Sequence, residues 1–324
     1  MRAFKLIIKI ILILAIMGIV YSFFFSVYEN IKINKMVSDF KNRAAETPTN
    51  ETEITFQNYT YLRRYFEVPR ETSYELADNK NVFYDPKKQN LGQTGDIFAT
   101  LKSPFKNIPL IHQFVSFYYG GHAALVKYEN NKPYFLEAVG FPDAGESIFD
   151  YIFNDGKPNS GLHSSVNKSS VNNWQKPSTA YEYHDIFYRD KYIGLRPVNP
   201  FDGENAKGLY DDYINQAVES AEQKHQDEAI YNFLFFLNMR NKYYCSDLVS
   251  RVYEEAYERV YNNNEEYKSK GYAKRMNDDR FITSVQDLIL SKDTFITFYV
   301  EIKKEEINGQ EVIVENIYYL EDVI

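Results

Sequence analysis

The sequence predicts an α+β fold, an antiparallel sheet with packed helices, preceded by an N-terminal transmembrane helix. Three observations carry that expectation: an uncharged run at residues 10–28, two turn pairs (Asn130-Asn131 and Asn308-Gly309) between stretches rich in aromatic and β-branched residues, and a helical period that starts at Cys245.

The uncharged run follows Arg2, Lys5 and Lys9. As a helix it would be about 28 Å long, enough to cross a hydrocarbon core of about 30 Å. A cleaved signal peptide is the competing reading. The run is longer than a usual apolar core, and Tyr21 and Phe23-Phe24-Phe25 stand where small residues of a cleavage site belong, so residues 1–28 are expected to be an uncleaved membrane anchor. The basic N-terminus favours a cytoplasmic start and a remainder outside the cytoplasm, although Lys32, Lys35, Lys41 and Arg43 beyond the span blunt the bias. Residues 29–60 carry Lys, Glu, Asn and Thr with few large aliphatics and are expected to be a tether, helical in part. Residues 61–324 are expected to form the folded domain.

Within that domain, strands are expected at residues 96–101 and 192–196, a helix at 207–225, and a C-terminal hairpin of 295–301 with 311–319. A further hairpin pairs residues 122–129 with 132–139. If Asn130-Asn131 is a two-residue loop, Glu129 opposes Lys132, Val139 opposes His122, and Glu137 opposes Ala124. His122 and Glu137 then lie on one face as diagonal neighbours. A three-residue loop would separate them.

Cys245 is the only cysteine. After it, Leu248, Val249, Val252, Tyr253, Ala256, Tyr257 and Val260 recur at three- and four-residue steps, with Asp247, Arg251, Glu254, Glu255 and Arg259 on the other face. Cys245 therefore sits in the first turn of an amphipathic helix, where unpaired N–H groups and the macrodipole favour a thiolate. A thiolate, an imidazole that trades its proton and a carboxylate that orients the imidazole form a nucleophilic set. The bland alternatives are a small buried cysteine and a surface hairpin with an incidental His and Glu.

The balance of 37 basic against 45 acidic residues offers no broad basic face, so nucleic acid is not an expected partner. The chain has no HExxH, Walker lysine loop, GxSxG or GxGxxG, and its other histidines have no metal-ligand spacing. No cofactor and no metal are expected. With one cysteine there is no internal disulfide.

The order Gly95-Asp96-Ile97, Gly121-His122-Ala123, Glu137-Ala138 and Cys245-Ser246-Asp247-Leu248-Val249 resembles the circularly permuted papain-like enzymes of the YiiX/YaeF type. These are relatives of the NlpC-type cell-wall hydrolases and of lecithin retinol acyltransferase. In ordinary NlpC-type enzymes the cysteine helix precedes the histidine strand; here the histidine comes first. Residues 192–197, and 282–288 with Ser291, extend the resemblance over about residues 90–295.

The resemblance implies a circularly permuted papain-like fold with Cys245 as nucleophile, His122 as general base and then acid, and Glu137 as the residue orienting His122. Tyr244 would line an oxyanion site with the Cys245 backbone N–H, or else be a packed aromatic. Asp96 would be a turn residue. The chain departs from the pattern by an insertion at about 141–190, expected to shape the substrate cleft. The implied activity is that of a membrane-anchored cysteine hydrolase, an amidase or peptidase, cleaving an amide or ester in cell-wall peptides or acylated lipids through a Cys acyl-enzyme. An acyltransferase of the lecithin retinol acyltransferase-like type and a non-catalytic binding domain are the alternatives.

Overall fold

The computed structural model describes residues 2–56, 59–103, 109–140, 165–169, 174, 182–183, 186–187, 189–232, 241–263, 276 and 282–323. The chain begins with one uninterrupted helix, α1 (Arg2–Asn42), long and apolar enough to cross a membrane. Large side chains from Ile10 to Phe25 stand exposed. Beyond them Ser26, Glu29, Ile33 and Phe40 are buried at three-, four- and seven-residue steps, which is one stripe of a helix.

Residues 29–60 are therefore not a tether. α1 continues to Asn42, and β1 (Asn50–Phe56) pairs antiparallel with β2 (Tyr59–Val68). The buried apolar residues of this stretch, Ile33 and Phe40, stand seven residues apart, and with Ser26 and Glu29 they make one side of a half-buried helix.

The elements that follow are α2 (Ser73–Ala77), β3 (Ile97–Thr100), α3 (Pro109–Tyr118), β4 (His122–Glu129), β5 (Lys132–Val139) and β6 (Ser165–Ser169). After a small pair, β7 (Glu182–Tyr183) with β8 (Ile186–Phe187), come β9 (Lys191–Pro197), α4 (Ala206–Gln226), β10 (Ile230–Tyr231) and β11 (Lys242–Tyr243). The chain closes with α5 (Cys245–Asn263), α6 (Val285–Leu290), β12 (Thr294–Ile307) and β13 (Gln310–Leu320). Among the described residues, eleven strands form one sheet in the order β1-β2-β13-β12-β9-β3-β4-β5-β6-β10-β11. The pairs β2/β13 and β10/β11 are parallel, so the sheet is mixed rather than purely antiparallel; the others are antiparallel.

Two turns set the registers that matter. Asn130 and Asn131 have φ of 51° and 62°, so Glu129 faces Lys132 and Leu125 faces Leu136, the two-residue register. Asn308 and Gly309, also at positive φ, place Ile307 opposite Gln310.

Strand alternation puts Ala123, Leu125, Leu136 and Ala138 on the same side as Lys127 and Lys168. Those two ammonium groups reach Glu222 on α4 at 2.6 and 2.7 Å, so α4 covers that side. α5 packs on α4 and on β4 and β5, and the whole apolar stripe from Leu248 to Val260 is buried. Of the expected insertion, most of residues 141–190 lies outside the described residues. Ser165–Ser169 is a strand of the main sheet, paired with β5, and so belongs to the domain itself.

Candidate active site

The site begins with two glycines. Gly120 has φ of +75°, and a Cβ on Gly121 would lie 2.1 Å from the Lys102 carbonyl oxygen. The missing side chain lets Gly121 N–H donate to Thr100 O at 2.8 Å, and His122 follows as the first residue of β4, opposite Thr100.

Glu137 lies on β5, on the face the two-residue turn assigns it. His122 Nε2 and Glu137 Oε2 are 2.6 Å apart. An ionised carboxylate only accepts, so Nε2 carries the proton and Nδ1 is left for a second partner. That partner is Cys245, whose thiolate form and the imidazolium each favour the other. All three residues are buried, with exposures of 8% for Cys245, 7% for His122 and 6% for Glu137.

Leu248 N–H donates to Tyr244 O at 2.8 Å, which makes Cys245 the first residue of α5. The backbone N–H groups of Ala123 and Ser246 also favour its ionised form. Burial pushes the Cys245 thiol up, but the His122 charge, the bond to His122 and those two N–H groups together bring it below the ordinary thiol range. For His122, burial favours the neutral ring, yet Cys245 and Glu137 raise it to about 9. Burial raises Glu137, whereas His122, the Arg189 charge and the neighbouring Trp174 hold it below the usual carboxylate range. These shifts all favour one charge pattern, a thiolate beside an imidazolium whose far side meets a carboxylate.

Sequence reasoning missed the residues that enclose this chain. Trp174 stacks on His122 with ring centroids 5.9 Å apart and planes within 13°. The Arg189 guanidinium lies 4.0 Å from the Trp174 ring centroid, and its Nη2 is 3.8 Å from Glu137 Oε2. Both come from the segment expected as an insertion. The one available signal was that Trp174 is the only tryptophan in the chain.

Tyr244 adjoins the nucleophile, but its hydroxyl accepts the Thr283 N–H at 2.8 Å. On the other side of Cys245, Ser246 Oγ donates to Thr283 O at 2.6 Å. Thr283 thus clamps both neighbours of the cysteine, and Ser284 behind it caps α6 in a capping box with Asp287. In this arrangement Tyr244 braces the turn and stands outside the Cys245–His122–Glu137 chain. Asp96 accepts the Gln93 N–H at 2.8 Å as a turn residue, and two further bonds of 2.8 Å from the buried Arg196, which sequence reasoning also missed.

Among the described residues no group of three His, Cys, Asp or Glu is placed to hold a metal ion. No protein-family model matches the chain, and no curated protein matches it.

Proposed function

We propose that the protein is a membrane-anchored cysteine hydrolase, an amidase or peptidase that cleaves an amide or ester through an acyl-enzyme at Cys245. The observation that carries this reading is the buried chain from Cys245 through His122 to Glu137. The Cys245 thiolate attacks the substrate carbonyl, and the Cys245 N–H at the tip of α5, on the turn that Tyr244 braces, meets the developing oxyanion. His122 Nδ1–H protonates the departing amine or alcohol as the tetrahedral intermediate collapses to a thioester. Neutral His122 then takes a proton from water, whose oxygen attacks the thioester; carboxylic acid leaves and the thiolate–imidazolium pair returns. Glu137 holds the ring and balances its charge throughout.

The histidine strand preceding the cysteine helix supports a circularly permuted papain-like fold. The apolar length of α1 supports a single-pass protein of the cell membrane, and Arg2, Lys5 and Lys9 support a domain outside the cytoplasm, where cell-envelope peptides or acylated lipids are the substrates. Full-length protein incubated with cell-envelope extract is expected to carry an acyl adduct on Cys245 by mass spectrometry, absent from Cys245→Ala. No adduct, together with equal alkylation of Cys245 in native protein and His122→Ala, refutes the proposal. The burial of Cys245 favours one second reading, acyl transfer to an amine or alcohol that displaces water, and turnover that depends on such an acceptor identifies it.

A further inference from the structure

α3 presents an apolar side that the domain leaves uncovered. Leu110 is 81% exposed and Phe114 54% exposed, one turn apart. Phe117 continues the row, and with Phe23 of α1 these residues line an open groove of about 690 Å³ whose polar members include Asn30, Lys102 and Gln113. His112 and Ser116, which also line the groove, tie α3 to the domain, with Ser103 N–H donating to Ser116 Oγ at 2.9 Å and His112 Nδ1 bonded to Ser103 O at 3.1 Å.

What covers the exposed side follows from where α3 meets α1. The uncharged span is bounded by Lys9 and Glu29, which leaves it no room to slide along the bilayer normal. Phe23 packs on Phe117 with ring centroids 5.5 Å apart, and Asn30 Nδ2 donates to Phe117 O at 3.1 Å. The contact therefore starts five residues, about 8 Å, inside the outer end of the span. An element touching the span at that depth lies at the hydrocarbon boundary. Exposed Lys32 and Lys35 follow within two turns, at the level of lipid phosphates, and Tyr21, Tyr28 and Tyr118 supply the aromatic ring types of an interface.

We propose that α3 is a second membrane contact, an interfacial helix that seats Leu110 and Phe114 in the bilayer α1 spans. This rests on α1 being membrane-spanning but not on the chemistry at Cys245. Its consequence is positional. α3 leads through Tyr119, Gly120 and Gly121 into His122, so the histidine end of the candidate site is held at the lipid surface rather than displayed at a distance from it.

The test is spin-label accessibility in the full-length protein reconstituted into phosphatidylcholine–phosphatidylglycerol vesicles, with Cys245→Ala removing the native thiol. Single labels go on Leu110→Cys, Phe114→Cys, Ile16→Cys in the span, and Leu76→Cys as a solvent reference. Leu76 lies on α2, which Arg43 ties through Glu75 to the far end of α1, about 22 Å beyond Tyr28. Labels at 110 and 114 are expected to show an oxygen-to-nickel-chelate accessibility ratio several-fold above that at 76, approaching that at 16. A lipid-like value at 16 with solvent-like values at both 110 and 114 overturns the proposal while leaving the span intact. A solvent-like value at 16 overturns the span and the proposal together.

Discussion

Replacing His122 by alanine isolates what the imidazole does for the sulfur. Cys245 keeps its burial, which pushes the thiol up, and the N–H groups of Ala123 and Ser246, but loses the positive charge and the side-chain bond that outweigh burial in the native protein. The variant thiol then returns to the ordinary range or above it. A thiol of pKa about 8.5 is only about 3% ionised at pH 7 and about 0.3% at pH 6. If native Cys245 is thiolate throughout, the native-to-variant ratio of alkylation rates reaches about 30 at pH 7 and about 300 at pH 6, reduced by the weaker nucleophilicity of a more acidic thiolate. The assay is iodoacetamide labelling of full-length protein in detergent, read on the Cys245 peptide by mass spectrometry, with circular dichroism confirming that the variant is folded. The native rate should be nearly flat in pH where the variant falls about tenfold per unit. Parallel profiles, both falling tenfold per unit, would refute the thiolate–imidazolium pair.

Glu137→Gln keeps the shape of the bond to His122 but removes its charge. Labelling at acid pH should fall between the native and His122→Ala values, and turnover should drop by up to the ~10²–10⁴-fold that a positioned acid–base group contributes; unchanged turnover would deny Glu137 its role. Trp174→Ala removes a 1%-exposed ring between His122 and Arg189, and should cost about 3–5 kcal/mol by denaturant unfolding, with Trp174→Phe recovering most of it. Asp96→Ala takes two bonds from the 1%-exposed Arg196, which keeps Asp78 at 2.7 Å, and should cost about 1.5–3 kcal/mol, yet leave the pH profile of Cys245 alkylation intact in folded protein; a shifted profile would make Asp96 part of the site. For stability against pH, His122 rises from an ordinary 6.5 to about 9, so its contribution is complete below 6.5 and is lost as pH climbs through 9. Cys245 is lowered from 9.0, so its contribution is present above 9 and is lost as pH falls through the folded value. The two slopes therefore oppose each other just below 9. The stability difference between native protein and a double Cys245→Ala, His122→Ala variant should change there by less than the ~1.4 kcal/mol per pH unit of one unopposed proton; a slope of that full size would contradict the assigned shifts.

What was legible in the sequence follows the range of the forces that fix each feature. His122 and Glu137 are fifteen residues apart along one hairpin, and an Asn-Asn turn with the two-residue period of strands is enough to put them on one face. The buried stripe of α5 follows from its 3.6-residue period in the same way. Bringing the tip of α5 to β4 is a different matter, since no local rule joins residues 122 and 245; that step came only from the order of motifs. Neither the turn nor the period says that β13 will pair parallel to β2 from the far end of the chain, so the mixed sheet was out of reach. Trp174 and Arg189 were hidden because they contribute by stacking from a stretch without periodicity, and a ring on an imidazole leaves no mark at a fixed spacing.

The supposed tether misled for the opposite reason. Its polar composition described the solvent side of α1 correctly, while Ser26, Glu29, Ile33 and Phe40, spaced as one stripe, determined the fold. Composition reads what faces water, and spacing reads what faces protein. A stripe that starts within the last turns of the apolar run leaves no free linker between that run and the domain, so the orientation of α1 and the orientation of His122 become one geometric quantity. Lengthening α1 by one residue between Tyr28 and Ile33 would turn that stripe by about 100° and set the domain against the span.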